Sequence, residues 1–191
     1  MRRIVPFVVI ASLLVAVPLS ARAQSDPLVP FAAFGSSLRA AAATAPGHIA
    51  LEVKDLTTGY SSGINATHTM PAASTIKIPI MVEVFRQMQL ANFDFNRRVA
   101  LLPQDKDYGS GTICDSPVGT TYPVSQLLSS MIDVSDNTAA NMLIRLVGRH
   151  DINATMAQLG APSTHLYDSI HTSGWNIRNT LRTSPADMVS I

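Results

Sequence analysis

The chain has 191 residues, 47% hydrophobic and 14% charged, with a formal net charge of +1. That size suits one domain or part of a larger one, and the near-neutral balance argues against a nucleic-acid binder, which would carry a basic stripe. Cys114 is the only cysteine, so no intramolecular disulfide can form.

The first segment is read separately. Met1-Arg2-Arg3 is basic, residues 4–19 are apolar apart from Pro6, Ser12 and Pro18, and Ala21-Arg22-Ala23 makes a small-x-small site before Gln24. This is the layout of a secretory signal peptide over residues 1–23. The apolar run approaches the lower limit for a spanning helix, but its prolines and the cleavage site favour removal over anchoring. The expected product is a catalytic domain over 24–191, periplasmic or secreted, with no membrane anchor after cleavage.

Phe31, Phe34 and Leu38, followed by an alanine run, predict an amphipathic helix ending near Pro46-Gly47. Residues 48–55 read as a strand, Thr57-Thr58-Gly59 as a turn, and residues 60–64 as the returning strand of a hairpin. A second helix is expected from about Ser74 through Ile80, Val84 and Met88, with Pro79 tolerated only because it falls early. Residues 102–123, rich in Gly, Pro, Asp and Ser, read as a long ordered loop. Val124, Leu127, Leu128 and Met131 mark a third helix, and Ala139, Met142, Leu143, Leu146 and Val147 a fourth, ending at Gly148. Ile152, Met156 and Leu159 mark a fifth, closed by Gly160. Ser184-Pro185 with Asp187 gives the cap, N1 proline and box-like acid of a last helix. An isolated hairpin is marginal in water, so further strands are expected from beyond residue 191 or from another chain.

Five histidines, His48, His68, His150, His165 and His171, show no metal-ligand spacing, so no metal or other cofactor is expected. The neighbours of Cys114 include no cation to stabilise a thiolate, which argues against a catalytic cysteine. Ser74-Thr75-Ile76-Lys77 is different. Positions i and i+3 of a helix share a face, so the Lys77 amine can approach the Ser74 hydroxyl. A serine needs a proton acceptor to become a nucleophile, and lysine can accept only if its pKa is lowered. Such a motif is common by chance. Its weight comes from Ser135-Asp136-Asn137, a polar triplet at the junction of two expected helices, where Ser135 or Asp136 could also be a plain N-cap.

Together these two motifs, with the run from Met131 to Asn141, resemble the class A β-lactamases and their penicillin-binding serine-hydrolase relatives. Supporting matches run from the strand at Ala50 through Asp115-Ser116-Pro117-Val118 to residues 183–188. The resemblance implies that Ser74 is acylated by a β-lactam carbonyl and that Lys77 assists its deprotonation. It also implies that Ser135 relays a proton to the leaving nitrogen and that Asn137 hydrogen-bonds the substrate amide. The Ser74 N–H would form half of an oxyanion hole, and Asn141 would brace an omega loop. The implied fold is α+β, β-lactamase/transpeptidase-like: an all-α region plus an antiparallel sheet region, of which only the N-terminal helix and first hairpin are expected here. The implied partners are a small β-lactam or a peptidoglycan peptide, and a monomer is expected.

The pattern breaks in two places. The omega-loop stretch 165–175 contains no glutamate, the residue that activates the deacylating water in class A enzymes. Asp168 is the nearest acid, shorter by a methylene and displaced by about two positions, and His171 could be a base by pKa alone. The K-T-G strand, which supplies the second oxyanion donor, is expected past residue 191. The leading expectation is a class A-like serine β-lactamase truncated before that strand, with acylation better supported than turnover. The alternatives are a D-alanyl-D-alanine peptidase-like hydrolase and a non-catalytic remnant that binds β-lactams or cell-wall peptides.

Overall fold

The computed structural model describes residues 28–172 and 180–191. The expected signal peptide over residues 1–23 lies outside the described residues, as does the end of the omega-loop stretch. The fold is α+β, with six helices and three small antiparallel sheets among the described residues. No helix among them is long and apolar enough to cross a membrane.

Helix α1 (Leu28–Thr44) lies on the hairpin β1 (Leu51–Lys54) and β2 (Ser61–Ile64), paired from Leu51↔Ile64 to Lys54↔Ser61. Asp55 closes its turn, accepting the Thr57 N–H at 2.8 Å and the Thr58 hydroxyl at 2.8 Å, the local bonding that makes Asp a turn residue. Three strands too short to show any alternation form a second sheet: β3 (Met70–Pro71), β6 (His165–Leu166) and, between them, β7 (Leu181–Thr183). A third sheet pairs β4 (Arg98–Ala100) with β5 (Thr121–Pro123), so the expected loop over 102–123 is closed at its base. The Leu101 N–H donating to Thr120 O at 2.8 Å and the Gly119 N–H donating to Leu101 O at 2.8 Å complete that closure.

Helices α2 (Lys77–Gln89), α3 (Val124–Asp133), α4 (Asn137–Val147) and α5 (Arg149–Gln158) build the core. Ile76, Ile80 and Val84 meet Leu127 and Met131 of α3 and Ala139, Met142 and Leu143 of α4, all buried. Each fully buried Leu, Ile or Met removes enough apolar surface to contribute about 1.5–3 kcal/mol. Helix α4 is buried along both polar and apolar faces from Asn137 to Ile144. Its polar residues are therefore obliged to find partners. The short α6 (Pro185–Ser190) starts on the Ser184 hydroxyl, which accepts the Asp187 N–H at 3.2 Å.

One buried charge also pins the helices. Glu83 is fully buried in α2, where it accepts from Arg86 Nε at 2.7 Å, Gln87 Nε2 at 2.8 Å and the Thr155 hydroxyl of α5 at 2.6 Å. Gln87 Nε2 also donates to Val147 O, the last residue of α4, at 2.8 Å.

Candidate active site

Ser74 is placed by the second sheet. The Ala72 N–H donates to Leu181 O of β7 at 2.9 Å, and Ala73 then takes a left-handed φ of +47°, a conformation that costs a non-glycine residue about 1–3 kcal/mol. The chain next enters a 3-10 turn, Ala73–Ile76, and becomes α-helical only at Lys77. Ser74 is thus exposed at the amino end of a helix, where first-turn N–H groups lack helical partners and the dipole favours negative charge. Pro79, third in α2, removes an N–H from the same first turn.

Lys77 is only 3% exposed. Its Nζ donates to Ser135 Oγ at 2.7 Å, Ser135 O at 2.5 Å and Asn137 Oδ1 at 2.7 Å, which commits all three ammonium hydrogens. Burial lowers its pKa from the ordinary lysine value, against the opposing charges of Asp136 and Asp107. Among the described residues it makes no direct hydrogen bond to Ser74. The link runs through Ser135, whose hydroxyl donates to Ser74 Oγ at 3.1 Å. The i, i+3 spacing brings the two residues to one end of the helix, but the lysine amine turns to the α3–α4 junction, where three acceptors satisfy it.

That junction is held from below. Ser135 has a φ of +57°, which turns the chain between α3 and α4. Asp136, 1% exposed, is the N-cap of α4, accepting the Ala139 N–H at 2.8 Å through Oδ1. Its other oxygen accepts the Thr112 N–H at 2.9 Å and the Ile113 N–H at 3.0 Å, tying the 102–123 loop to the motif. Gly111 (φ +88°) makes room for this carboxylate: a Cβ there would lie 2.1 Å from Asp136 Cγ.

Asn137 Nδ2 donates to Asp107 Oδ1 at 2.8 Å. Asp107 is 3% exposed and also accepts the Thr172 N–H at 2.6 Å, the Thr172 hydroxyl at 2.8 Å and the Gly109 N–H at 2.9 Å. Burial opposes its ionisation, but these donors outweigh burial and hold its carboxyl below the ordinary range. One turn along α4, Asn141 brackets the backbone of Ile170, accepting its N–H at 2.8 Å and donating to its C=O at 2.9 Å. A further turn on, Arg145 pairs with Asp105 at 2.9 Å. Sequence reasoning missed Asp105, Asp107, Ile170 and Thr172. Nothing in Asp105-Lys106-Asp107 distinguishes it from an ordinary solvated loop.

Neither candidate base in 165–175 hydrogen-bonds to Ser74, Lys77, Ser135 or Asn137 among the described residues. Asp168 is exposed and accepts the N–H of the adjacent Ser169 at 2.8 Å, and His171 is exposed. Cys114 is buried, which with the neighbouring acids pushes its thiol pKa up, away from nucleophilic use. An open cleft of about 640 Å³, lined by Arg149, Asn153, His165 and Tyr167 among others, contains none of the Ser74 constellation. No cluster of His, Cys, Asp and Glu suited to a metal occurs among the described residues.

Comparison with known proteins draws in both branches of one superfamily. The β-lactamase VEB-1 of Pseudomonas aeruginosa is 30% identical over 90 residues, 46% of this chain and 30% of that protein. The D-alanyl-D-alanine carboxypeptidase DacB2 of Mycobacterium tuberculosis is 34% identical over 119 residues, 59% of this chain and 39% of that protein. The solved structure of PBP-A superposes with a TM-score of 0.75 at 25% identity, covering 83% of this chain and 59% of that one. The chain thus spans between about a third and three fifths of the length of these relatives. The family model described as "Beta-lactamase enzyme family" matches residues 33–191, and the chain belongs to that family of serine hydrolases.

Proposed function

We propose that Ser74 is the acyl acceptor for a β-lactam or a D-alanyl-D-alanine-type peptide, and that the resulting ester is released slowly. The observation that carries this reading is the continuous chain from buried Lys77 Nζ through Ser135 Oγ to Ser74 Oγ, 2.7 and 3.1 Å long. Its donor order is that of the ammonium state, in which Lys77 donates to Ser135 and Ser135 to Ser74. Hydroxyl hydrogens rotate freely. Once Lys77 is neutral the order reverses, and Ser74 donates to Ser135 while Ser135 donates to Nζ.

Acylation then balances as follows. Ser74 Oγ bonds to the substrate carbonyl carbon while its proton passes through Ser135 to Lys77. The developing oxyanion meets the Ser74 N–H at the helix start. The carbonyl carbon–nitrogen bond breaks, and the proton returns from Lys77 through Ser135 to the leaving nitrogen. Asn137 offers its second Nδ2 hydrogen to a substrate amide oxygen.

Release requires a base for the attacking water. The backbone point that Asn141 brackets carries Ile170, an apolar side chain 3% exposed, and the only carboxylate of 165–175, Asp168, points to its own backbone. This favours the penicillin-binding, peptidase-like behaviour over rapid β-lactam hydrolysis. The apolar leader over residues 1–23 supports export to the periplasm or beyond, where both substrate classes occur.

Labelled penicillin followed by a denaturing gel and intact-mass analysis tests this directly, with nitrocefin hydrolysis beside it. The expected result is a persistent adduct that Ser74→Ala abolishes, and little nitrocefin turnover. Rapid turnover without accumulated adduct would establish the β-lactamase reading instead, and labelling that survives Ser74→Ala would remove Ser74 from the mechanism.

A further inference from the structure

Beyond the serine, lysine and Ser-Asp-Asn motifs, one buried acid joins the site to the segment that passes over it. We infer that Asp107 is a positioning residue: its carboxylate sets the orientation of the Asn137 amide toward Lys77 and makes that orientation depend on the seating of Thr172. The inference deepens the acyl-transfer reading and rests on it for its kinetic consequence, but its structural core can be tested without any substrate.

The argument begins with donor and acceptor capacity. An ionised carboxylate only accepts, so the Asn137 group facing Asp107 must be Nδ2, as found at 2.8 Å. Oδ1 is then forced toward Lys77 Nζ, at 2.7 Å. Flipping the amide would face an amide oxygen to a carboxylate at one end and two nitrogen donors to each other at the other. The Lys77 ammonium, which only donates, enforces the same orientation, and once Lys77 is neutral and can accept as well, the Asp107 charge alone dictates it.

The same carboxylate is anchored from the opposite side. Oδ2 accepts the Thr172 N–H at 2.6 Å, and the Thr172 hydroxyl lies 2.8 and 2.9 Å from the two oxygens. Gly109 admits this contact, since a Cβ there would lie 2.3 Å from Thr172 Cγ2 and Oγ1. The Gly109 N–H donates to Oδ1 at 2.9 Å, and the Asp107 N–H donates to Thr138 Oγ1 at 3.0 Å. Asp107 is thus held by α4, by its own loop and by the 165–172 segment at once, and it passes the position of that segment to Asn137 and so to Lys77. The charged groups facing Lys77 are Asp136 at the α4 cap and Asp107, both of which favour its ammonium form.

The test uses the full chain in two variants, Asp107→Asn and Thr172→Val. The asparagine removes the charge and places an amide donor against the Thr172 or Asn137 donors, whereas the valine keeps the Thr172 backbone N–H and removes only its hydroxyl. Two readouts need no substrate: the Asn137 side-chain amide resonances, and the titration of Lys77 followed at its Cε by NMR. Asp107→Asn is expected to move both, shifting the Lys77 midpoint downward, and Thr172→Val to move the Asn137 resonances despite having no contact with that residue. Folded variants with both signals unchanged would overturn the inference, as would an unchanged Asn137 signal in Thr172→Val if the asparagine variant does not fold. Labelled-penicillin acylation is the third readout. Misorienting a group at the reacting centre costs roughly tenfold to a hundredfold in rate, so Asp107→Asn should acylate that much more slowly, with its acid limb displaced to lower pH. If the NMR signals move while wild type takes no label, the acyl-transfer reading falls and the coupling stands.

Discussion

Replacing Gly111 by alanine probes how the Ser-Asp-Asn motif is held in place. At φ +88° an L side chain is strained, by about 1–2 kcal/mol. The added Cβ would also meet Asp136 Cγ and Oδ2 at 2.1 Å and Asp136 Cβ at 2.4 Å, so the carboxylate or the loop must move. Moving it loses the α4 cap at Ala139, about 1 kcal/mol. It also strips the Thr112 and Ile113 N–H groups of their acceptor, at about 1–3 kcal/mol for each one left buried and unpaired. The total is about 4–9 kcal/mol, most of the stability of an ordinary domain. Urea unfolding followed by circular dichroism measures it, with Asp136→Ala and the double variant completing a cycle. If Gly111 serves to admit Asp136, the double variant is far less destabilised than the sum of the singles, because once Asp136→Ala has removed the carboxylate and its three bonds, Gly111→Ala adds only the backbone strain. Additive losses would refute the reasoning.

Further outcomes follow from the same geometry at Lys77, Glu83 and Ile170. Acylation of Ser74 should rise with pH through a midpoint below the ordinary lysine value of about 10.4, because burial lowers the Lys77 pKa; Lys77→Arg, which stays charged, should lose labelling by more than a hundredfold. Burial raises the Glu83 pKa, but its bonds to Arg86, Thr155 and Gln87 outweigh that and hold it below its usual 4.5. Its contribution to stability is therefore present above that value and lost as pH falls through the folded-state pKa, and Glu83→Gln should flatten the acid limb of an unfolding-versus-pH series. Glu83→Ala should cost about 2–6 kcal/mol in urea unfolding, since it leaves the buried Thr155 hydroxyl and Gln87 amide without this acceptor, at about 1–3 kcal/mol each. Ile170→Glu would place a carboxylate at the backbone point bracketed by Asn141; pulse-chase with labelled penicillin should show release at least tenfold faster, and an unchanged adduct lifetime would remove position 170 from the release step.

The helices were legible because their apolar residues recur at helical spacing and because their ends carry chemistry: Asp136 before α4, Gly148 and Gly160 at ends, Ser184 with Asp187 at α6. The hairpin was legible from its turn residues. The strands Met70–Pro71, His165–Leu166 and Leu181–Thr183 were not, because two or three residues cannot show alternation. They matter nonetheless, since β7 carries the carbonyl that fixes Ala72 and thereby Ser74. The spacing of Ser74 and Lys77 placed them at one helix end but did not reveal the lysine's true partners. Those are chosen by acceptors on another helix junction, and periodicity carries no information about contacts across so many residues. Asp105, Asp107, Ile170 and Thr172 escaped for the same reason.

The two halves of the proposed reaction rest on different kinds of structure. The acyl-accepting half is built from the 3-10 turn before α2 and the start of α4, which are backed by the buried side chains of Ile76, Ile80, Ala139 and Leu143. The releasing half depends on what residues 165–172 present. That segment meets α4 through a few side chains at helical spacing: Asn141 on Ile170 directly, and Asn137 on Thr172 through Asp107. The brackets on Ile170 grip backbone atoms, so those two hydrogen bonds do not depend on the side chain at 170, although Ile170 itself also packs into the core. In the proposed reaction, this organisation lets the residue at 170 act on release while acylation rests on other groups. Asp107 limits that freedom. Position 170 makes no hydrogen bond to the Ser74 constellation, but a change that unseats Thr172 reaches Asn137 and Lys77 through Asp107 and slows acylation itself.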